Sequence, residues 1–299
     1  MQISAIPVRT AKISAARYPS PRRLQEILVL QGTPLLGAAF ALRQAGAEQV
    51  GPLAILMTGN ACLVAHIFLL NDWSNMAADL VDANKASDVF TARGVGRKEV
   101  GALAAALLLV SVLLFGLLGP TTLALALGIA ALSAVYSLPY FNWKGRPLLN
   151  SAAHLAGGVL HFLLGYSLGH VIGLDSLVLG TYFAVIFAAG HLTQELRDYD
   201  GDRRNAISTN AVVFGQRRTF AASVALFTLS YVLLLALALQ GTFPRALAAL
   251  APLCAVHLRW SRQVIADGFT YASICRLQMR YRTLYAIVGA AMLAALWLG

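Results

Sequence analysis

Apolar runs long enough to cross a bilayer alternate along this chain with short polar segments. A transmembrane helix needs about 20 apolar residues, and nine stretches meet that need, near 24–43, 51–71, 99–119, 121–140, 148–170, 174–194, 219–240, 244–260 and 282–298. The runs are continuous, rich in Leu, Ala and Val, and lack period-2 alternation, which predicts helices rather than a barrel. The expected fold is therefore all-α: a polytopic bundle of nine transmembrane helices in a single domain spanning 1–299. Connections on one side are a few residues each, whereas three on the other, 72–98, 195–218 and 261–281, are long and polar. On an otherwise minimal scaffold, function is expected in the elaborated connections.

Composition agrees: 58% of the 299 residues are hydrophobic and only 12% are charged. Placing the N-terminus in the cytoplasm puts 21 of the 23 Lys and Arg residues on the inner side, leaving only Arg43 and Arg245 outside. The positive-inside rule thus predicts an N-in, C-out protein of the cytoplasmic (inner) membrane whose long polar loops face the cytoplasm. The net charge of +10 is then a topology signal with an attraction for an anionic leaflet or ligand. Nucleic acid is a poor explanation, because the basic residues are dispersed among short loops. The N-terminus is basic but lacks the apolar core and cleavage site of a signal peptide. Cys62, Cys254 and Cys275 show no CxxC spacing and read as small buried side chains.

Carboxylates sharpen the picture. Nine of the 13 acidic residues fall in two windows, one holding Asp72, Asp79, Asp82, Asp88 and Glu99, the other Glu195, Asp198, Asp200 and Asp202. If the second and sixth helices continue past the membrane boundary, Asn71, Asn75 and Asp79 recur every four residues on one narrow face, and Glu195, Asp198 and Asp202 share another. Like charges packed so closely repel unless a cation intervenes. Oxygen-only ligands point to a hard ion, Mg²⁺ first, which takes one or two carboxylates together with substrate phosphates. No His and Cys cluster offers a zinc site. Lys85, Arg93, Lys144 and Arg203 sit close by in sequence, and this mixture suits a metal-bound polyanion.

Three motifs in order complete the reading: "NDWSNMAAD" at Asn71–Asp79, "YFNWK" at Tyr140–Lys144 and "ELRDYDGD" at Glu195–Asp202. In these, and in its layout over essentially the whole length, the chain resembles the UbiA-type intramembrane prenyltransferases, with their NDxxDxxxD, YxxxK and DxxxD elements. The resemblance implies Mg²⁺-dependent transfer of a prenyl group from an isoprenyl diphosphate to an acceptor, aromatic or a lipid precursor. It implies that Asn71, Asn75, Asp79, Asp198 and Asp202 surround Mg²⁺ and the diphosphate, with Lys85, Arg93, Tyr140, Lys144 and Arg203 on the diphosphate; Glu195, on the stripe of Asp198 and Asp202, is counted with the metal ligands. Asp79, Asp198, Asp202 and Lys144 would carry the catalysis. Two departures stand out: Asn75 where the family has Asp, and Glu195 where the extended second motif often has Asp. Asn75 keeps a carbonyl oxygen but removes a negative charge. Arg22 or Arg23 would suit a carboxylated acceptor, and His191, four residues before Glu195, faces the same stripe and is the first acceptor-site candidate among the histidines. Two other functions stay open: a membrane terpene cyclase acting without an acceptor, and a transporter of divalent cations or organic anions. The stretch 261–281 carries Asp267 as its only carboxylate and receives no chemistry.

Overall fold

A computed structural model describes residues 21–42, 46–80, 82, 86, 89–90 and 94–297 of the chain, 21 and 22 by their backbone alone. Among these residues every regular element is helical: α1 (Pro21–Val29), α2 (Gly32–Leu42), α3 (Val50–Leu80), α4 (Arg97–Leu118), α5 (Pro120–Ser137), α6 (Leu149–Tyr166), α7 (Leu174–Arg204), α8 (Asn210–Phe214), α9 (Gln216–Leu239), α10 (Leu253–Ala266) and α11 (Tyr271–Trp297). The all-helical membrane fold is as expected.

The first expected span is broken into α1 and α2, and the reason is local. Pro34 has no N–H to offer the carbonyl of Leu30 one turn earlier. The fully buried Asn60 of α3 donates to that carbonyl at 3.4 Å and to Gln31 Oε1 at 3.0 Å. The carbonyl freed by the helix break thus finds a donor inside the bundle, as an apolar surrounding requires.

Helices α3 and α7 each run for 31 residues, about 46 Å, well beyond the ~30 Å of a hydrocarbon core. Both therefore extend past the expected span ends at 71 and 194, carrying their acidic stripes as helix. Among the described residues, six helical stretches are long and apolar enough to cross a membrane by length and composition. The other three expected spans coincide with α6, with a 3₁₀ turn at Arg245–Leu250 leading into α10, and with α11. The expected third polar loop, 261–281, is a correction: most of it belongs to α10 and α11, joined by a turn in which Gly268 and Phe269 adopt positive φ.

In lipid, tail and side chain are equally apolar, so helix association rests on close packing rather than on a hydrophobic drive. α6 lies against α2, α5 and α7. A Cβ at Gly165 of α6 would collide with the backbone carbonyl of Pro34, and one at Gly158 would lie 2.6 Å from Ala184 Cα of α7. On α4, Leu109, Leu113 and Leu117 recur every four residues and are exposed, the stripe expected of a lipid-facing helix. Gly165→Leu is expected to force α2 from α6 and cost about 1–3 kcal/mol as an overpacked contact. Gly128→Ala, with nothing within 4 Å of the added atom, should leave thermal unfolding in detergent unchanged or slightly raised.

Candidate functional site

A cavity of about 760 Å³ runs through the bundle between α1, α2, α3, α5, α6, α7 and α11. Its wall changes from apolar to polar in a consistent direction. On α3 it passes from Val64 and Ile67 to Asn71, Asp72 and Asp79; on α5 from Ile129 and Leu132 to Ser133 and Tyr136; on α7 from Tyr182 and Phe183 to His191, Glu195, Asp198 and Asp202. Antiparallel to these, α11 passes from Tyr281 and Arg282 to Gly289 and Leu293. Residues more than 100 apart in sequence thus form one oxygen-rich end and one apolar remainder.

Two contacts bring the acidic stripes together. Asn205, just past the end of α7, donates to the carbonyl of Ala78 on α3 at 3.2 Å. Asp82, buried, packs its carboxylate against Gly201, where a Cβ would have no room. The glycine in "DYDGD" thus leaves room for the Asp82 carboxylate beside the helix that carries Asp198 and Asp202.

Part of the charge at this end is paired within the protein. Arg197 makes a two-pronged contact with Asp198, Nε to Oδ1 at 2.8 Å and Nη2 to Oδ2 at 3.0 Å. Arg23 bonds Asp72 and Glu26, the latter at 2.8 Å, and lies over the Phe68 ring at 4.9 Å. Asn75 is absent from the cavity wall; its Nδ2 donates to the carbonyl and Oδ1 of Asn71 at 2.7 and 2.9 Å, orienting the Asn71 amide.

Glu195 has a different environment. Its Oε1 accepts from Asn150 and Asn210 Nδ2, and its Oε2 from the Ala211 N–H at 3.1 Å, all four residues being buried. Asn210 Nδ2 also donates to Asn150 Oδ1 at 2.7 Å, and Asn210 Oδ1 accepts from the Leu148 N–H at 2.8 Å. Asn150 Nδ2 further reaches the carbonyl of Lys144 at 3.3 Å. The network ties α6, α7, the start of α8 and the loop bearing Lys144 into one unit.

Of the residues singled out in the sequence, Arg23, Asn71, Asp79, Lys144, His191, Glu195, Asp198 and Asp202 line the cavity. Tyr140 is 89% exposed, its ring against Phe141, and stands outside the cavity wall. Arg203 is also exposed and outside it. Lys85, Arg93 and the side chain of Arg22 lie outside the described residues. In its place at the polar end the cavity wall has Tyr136, four residues before Tyr140, and that i−4 relation is the only sequence signal for it. Arg282, from the neighbourhood to which the sequence assigned no chemistry, lines the wall and forms no ion pair among the described residues.

No group of three or more His, Cys, Asp or Glu is arranged as a ready-made metal cage among the described residues. The donor set still fits a hard divalent ion shared with a ligand. Asp79, Asp198 and Asp202 bring carboxylates to the polar end and Asn71 an amide oxygen that also accepts from Asn75, and an ion that keeps waters and phosphate oxygens needs just one or two carboxylates.

No curated protein sequence matches the chain. Solved structures do. A UbiA homologue from Archaeoglobus fulgidus bound to GPP and Mg²⁺ aligns with a TM-score of 0.71 at 17% identity, over 92% of this chain and 96% of that one. The apo structure of a UbiA homologue from Aeropyrum pernix K1 aligns at 0.70 and 17% identity, covering 88% and 96%. A structure of digeranylgeranylglyceryl phosphate synthase aligns at 0.63 and 14%, covering 92% and 99%. These likenesses establish the shared fold. A profile of the UbiA prenyltransferase family matches residues 33–281, spanning both acidic stripes and the Lys144 loop between them, and the chain belongs to that family.

Proposed function

We propose that this protein transfers a prenyl group from an isoprenyl diphosphate to an acceptor held in the same cavity. The observation that carries the reading is the cavity's polarity: oxygen donors from two helices and Lys144 at one end, continuous with an apolar wall. The GPP and Mg²⁺ bound by the Archaeoglobus fulgidus homologue of the same fold support it. Asn71, Asp79, Asp198 and Asp202 would hold Mg²⁺ against the diphosphate, and Lys144 would take phosphate oxygens. When bound, Mg²⁺ supplies positive charge that stabilises the diphosphate as it departs. The apolar wall keeps the prenyl chain from water, at about 0.8 kcal/mol per CH₂, and excludes water from the allylic cation left behind. Tyr136, half-buried in the wall, offers a ring face to that cation. The distribution of Lys and Arg supports an orientation with the polar end toward the cytoplasm.

In this reading Glu195 is a positioning residue, not a metal ligand. Its carboxylate oxygens are occupied by donors from α6 and α8, and Asp198 and Asp202 follow it by one and two turns of the same helix. Asn75 likewise acts through Asn71.

Incubation of purified protein with labelled geranyl, farnesyl and geranylgeranyl diphosphates, with and without Mg²⁺, tests the assignment. Mg²⁺-dependent consumption of at least one donor is expected, and consumption of none would overturn it. A cyclic product formed without acceptor would instead identify a terpene cyclase. Asp79→Asn and Asp198→Asn are each expected to lower turnover at least 100-fold, the scale lost when a group stabilising transition-state charge is removed. Glu195→Gln replaces one carboxylate oxygen by an amide NH₂ and so sets it against at least one of the three donors, which should cost about 1–3 kcal/mol of stability. Its melting temperature in detergent should fall while the Mg²⁺ concentration for half-maximal activity stays at the wild-type value. A shifted Mg²⁺ requirement with unchanged stability would make Glu195 a ligand after all.

A further inference from the structure

The polar wall holds one group that the diphosphate chemistry does not use. His154 of α6 lines the cavity, and its Nδ1 lies 2.8 Å from the carbonyl of Asn150. A carbonyl can only accept, so Nδ1 carries the ring proton, and in the neutral imidazole Nε2 is then a bare lone pair. Nε2 has no hydrogen-bond partner among the described residues. The ring is held in place: it stacks on His191 with centroids 3.6 Å apart and planes 11° from parallel, and Tyr136 abuts it edge-on at 5.1 Å. His191 in turn places its Nε2 3.0 Å from Glu195 Oε1. His161, two turns further along α6, has the same proton arrangement through the Gly157 carbonyl at 2.9 Å, but its Nε2 is sealed off by packing.

We propose that His154 Nε2 accepts a hydrogen bond from a hydroxyl group of the acceptor molecule, fixing that molecule beside the prenyl chain. The proposal rests on the prenyltransferase reading of the cavity and names the acceptor's chemistry within it. A lone pair rejects phosphate oxygens, which are themselves acceptors, and selects an O–H donor. The depth suits this role. Along α7, His191 precedes Asp198 by seven residues, about 10 Å of helix rise, so the stacked pair lies on the apolar side of Asp198 and Asp202, where the first carbons of a bound prenyl chain would run. Recognition through a carboxylate at Arg23 is disfavoured by its contacts, because that guanidinium already bonds Asp72 and Glu26.

The test is binding rather than turnover. Full-length protein in nanodiscs, carrying Mg²⁺ and a non-hydrolysable geranyl diphosphate analogue, is titrated with 1-naphthol and with its methyl ether, which has the same ring but no O–H. Naphthol is expected to bind about 10-fold more tightly than the ether, the scale of one buried hydrogen bond. His154→Phe keeps a ring to stack on His191 but has no lone pair; the two compounds should then bind alike, with affinity for the donor analogue unchanged. His154→Gln, whose side-chain oxygen reaches the place of Nε2, should recover most of the preference, and it serves as the folded comparison if the Phe variant is unstable. Equal binding or no binding of the two compounds by wild type, or a preference that survives in His154→Phe, overturns the proposal. So does selection by a ring carboxylate that is lost in Arg282→Gln and kept in His154→Phe. Consumption of labelled donor by wild type tests the prenyltransferase reading separately, so the two failures are distinguishable.

Discussion

A buried carboxylate with three donors around it organises this protein. Glu195 accepts from Asn150, Asn210 and the backbone of Ala211, groups from α6 and from the segment that follows α7. Desolvating a carboxylate is costly unless it is compensated on the spot, so those segments have to meet where Glu195 is. The connector after α7 therefore turns back to begin α8 at Asn210, and the Lys144 loop is drawn in through Asn150 and Leu148. Leu148 adopts a positive φ of 63° there, a conformation that the hydrogen bond from its N–H to Asn210 helps to hold.

From that knot the rest of the polar end follows by helix geometry. One turn beyond Glu195 comes Asp198 with Arg197 folded onto it, and one turn further Asp202, beside the glycine that admits Asp82. α3 meets α7 through Asn205 and Ala78, placing Asp79 at the same end. Each pairing of acid and base keeps the stripes from repelling one another in a region of low dielectric. One turn from Glu195 in the other direction, His191 stacks on His154. A single helix thus carries the support, the proposed diphosphate clamp and the proposed acceptor contact in succession.

Much of this was legible from local pattern. The apolar runs, the extension of α3 and α7 past the membrane boundary and the shared faces of Asn71 with Asp79 and of Asp198 with Asp202 are properties of one helix at a time. Tyr140 shows where such reading stops. The motif spacing points to it, but α5 ends at Ser137, and beyond a helix end the four-residue relation no longer keeps two side chains on one face. Glu195 shows a second limit, since its spacing places it on the stripe expected to bind metal while its oxygens accept from partners on α6 and α8. The segment 261–281 reads as a loop because it is polar, yet it is helical: Val264, Ile274, Leu277 and Tyr281 are buried in one cluster, while Arg276 and Arg280 bond Asp267 and Gln263 across the α10–α11 turn.

The sequence by itself determined the membrane-spanning, all-helical character of the chain and the two oxygen-rich faces, because hydropathy and a 3.6-residue period are local quantities. Tertiary structure decided which members of those faces reach the cavity and which are consumed in holding it. It also decided that His154 and His191, 37 positions apart, would stack. Those outcomes depend on which helices pack together, and the hydrogen bonds and close glycine contacts that decide packing join residues far apart in the chain.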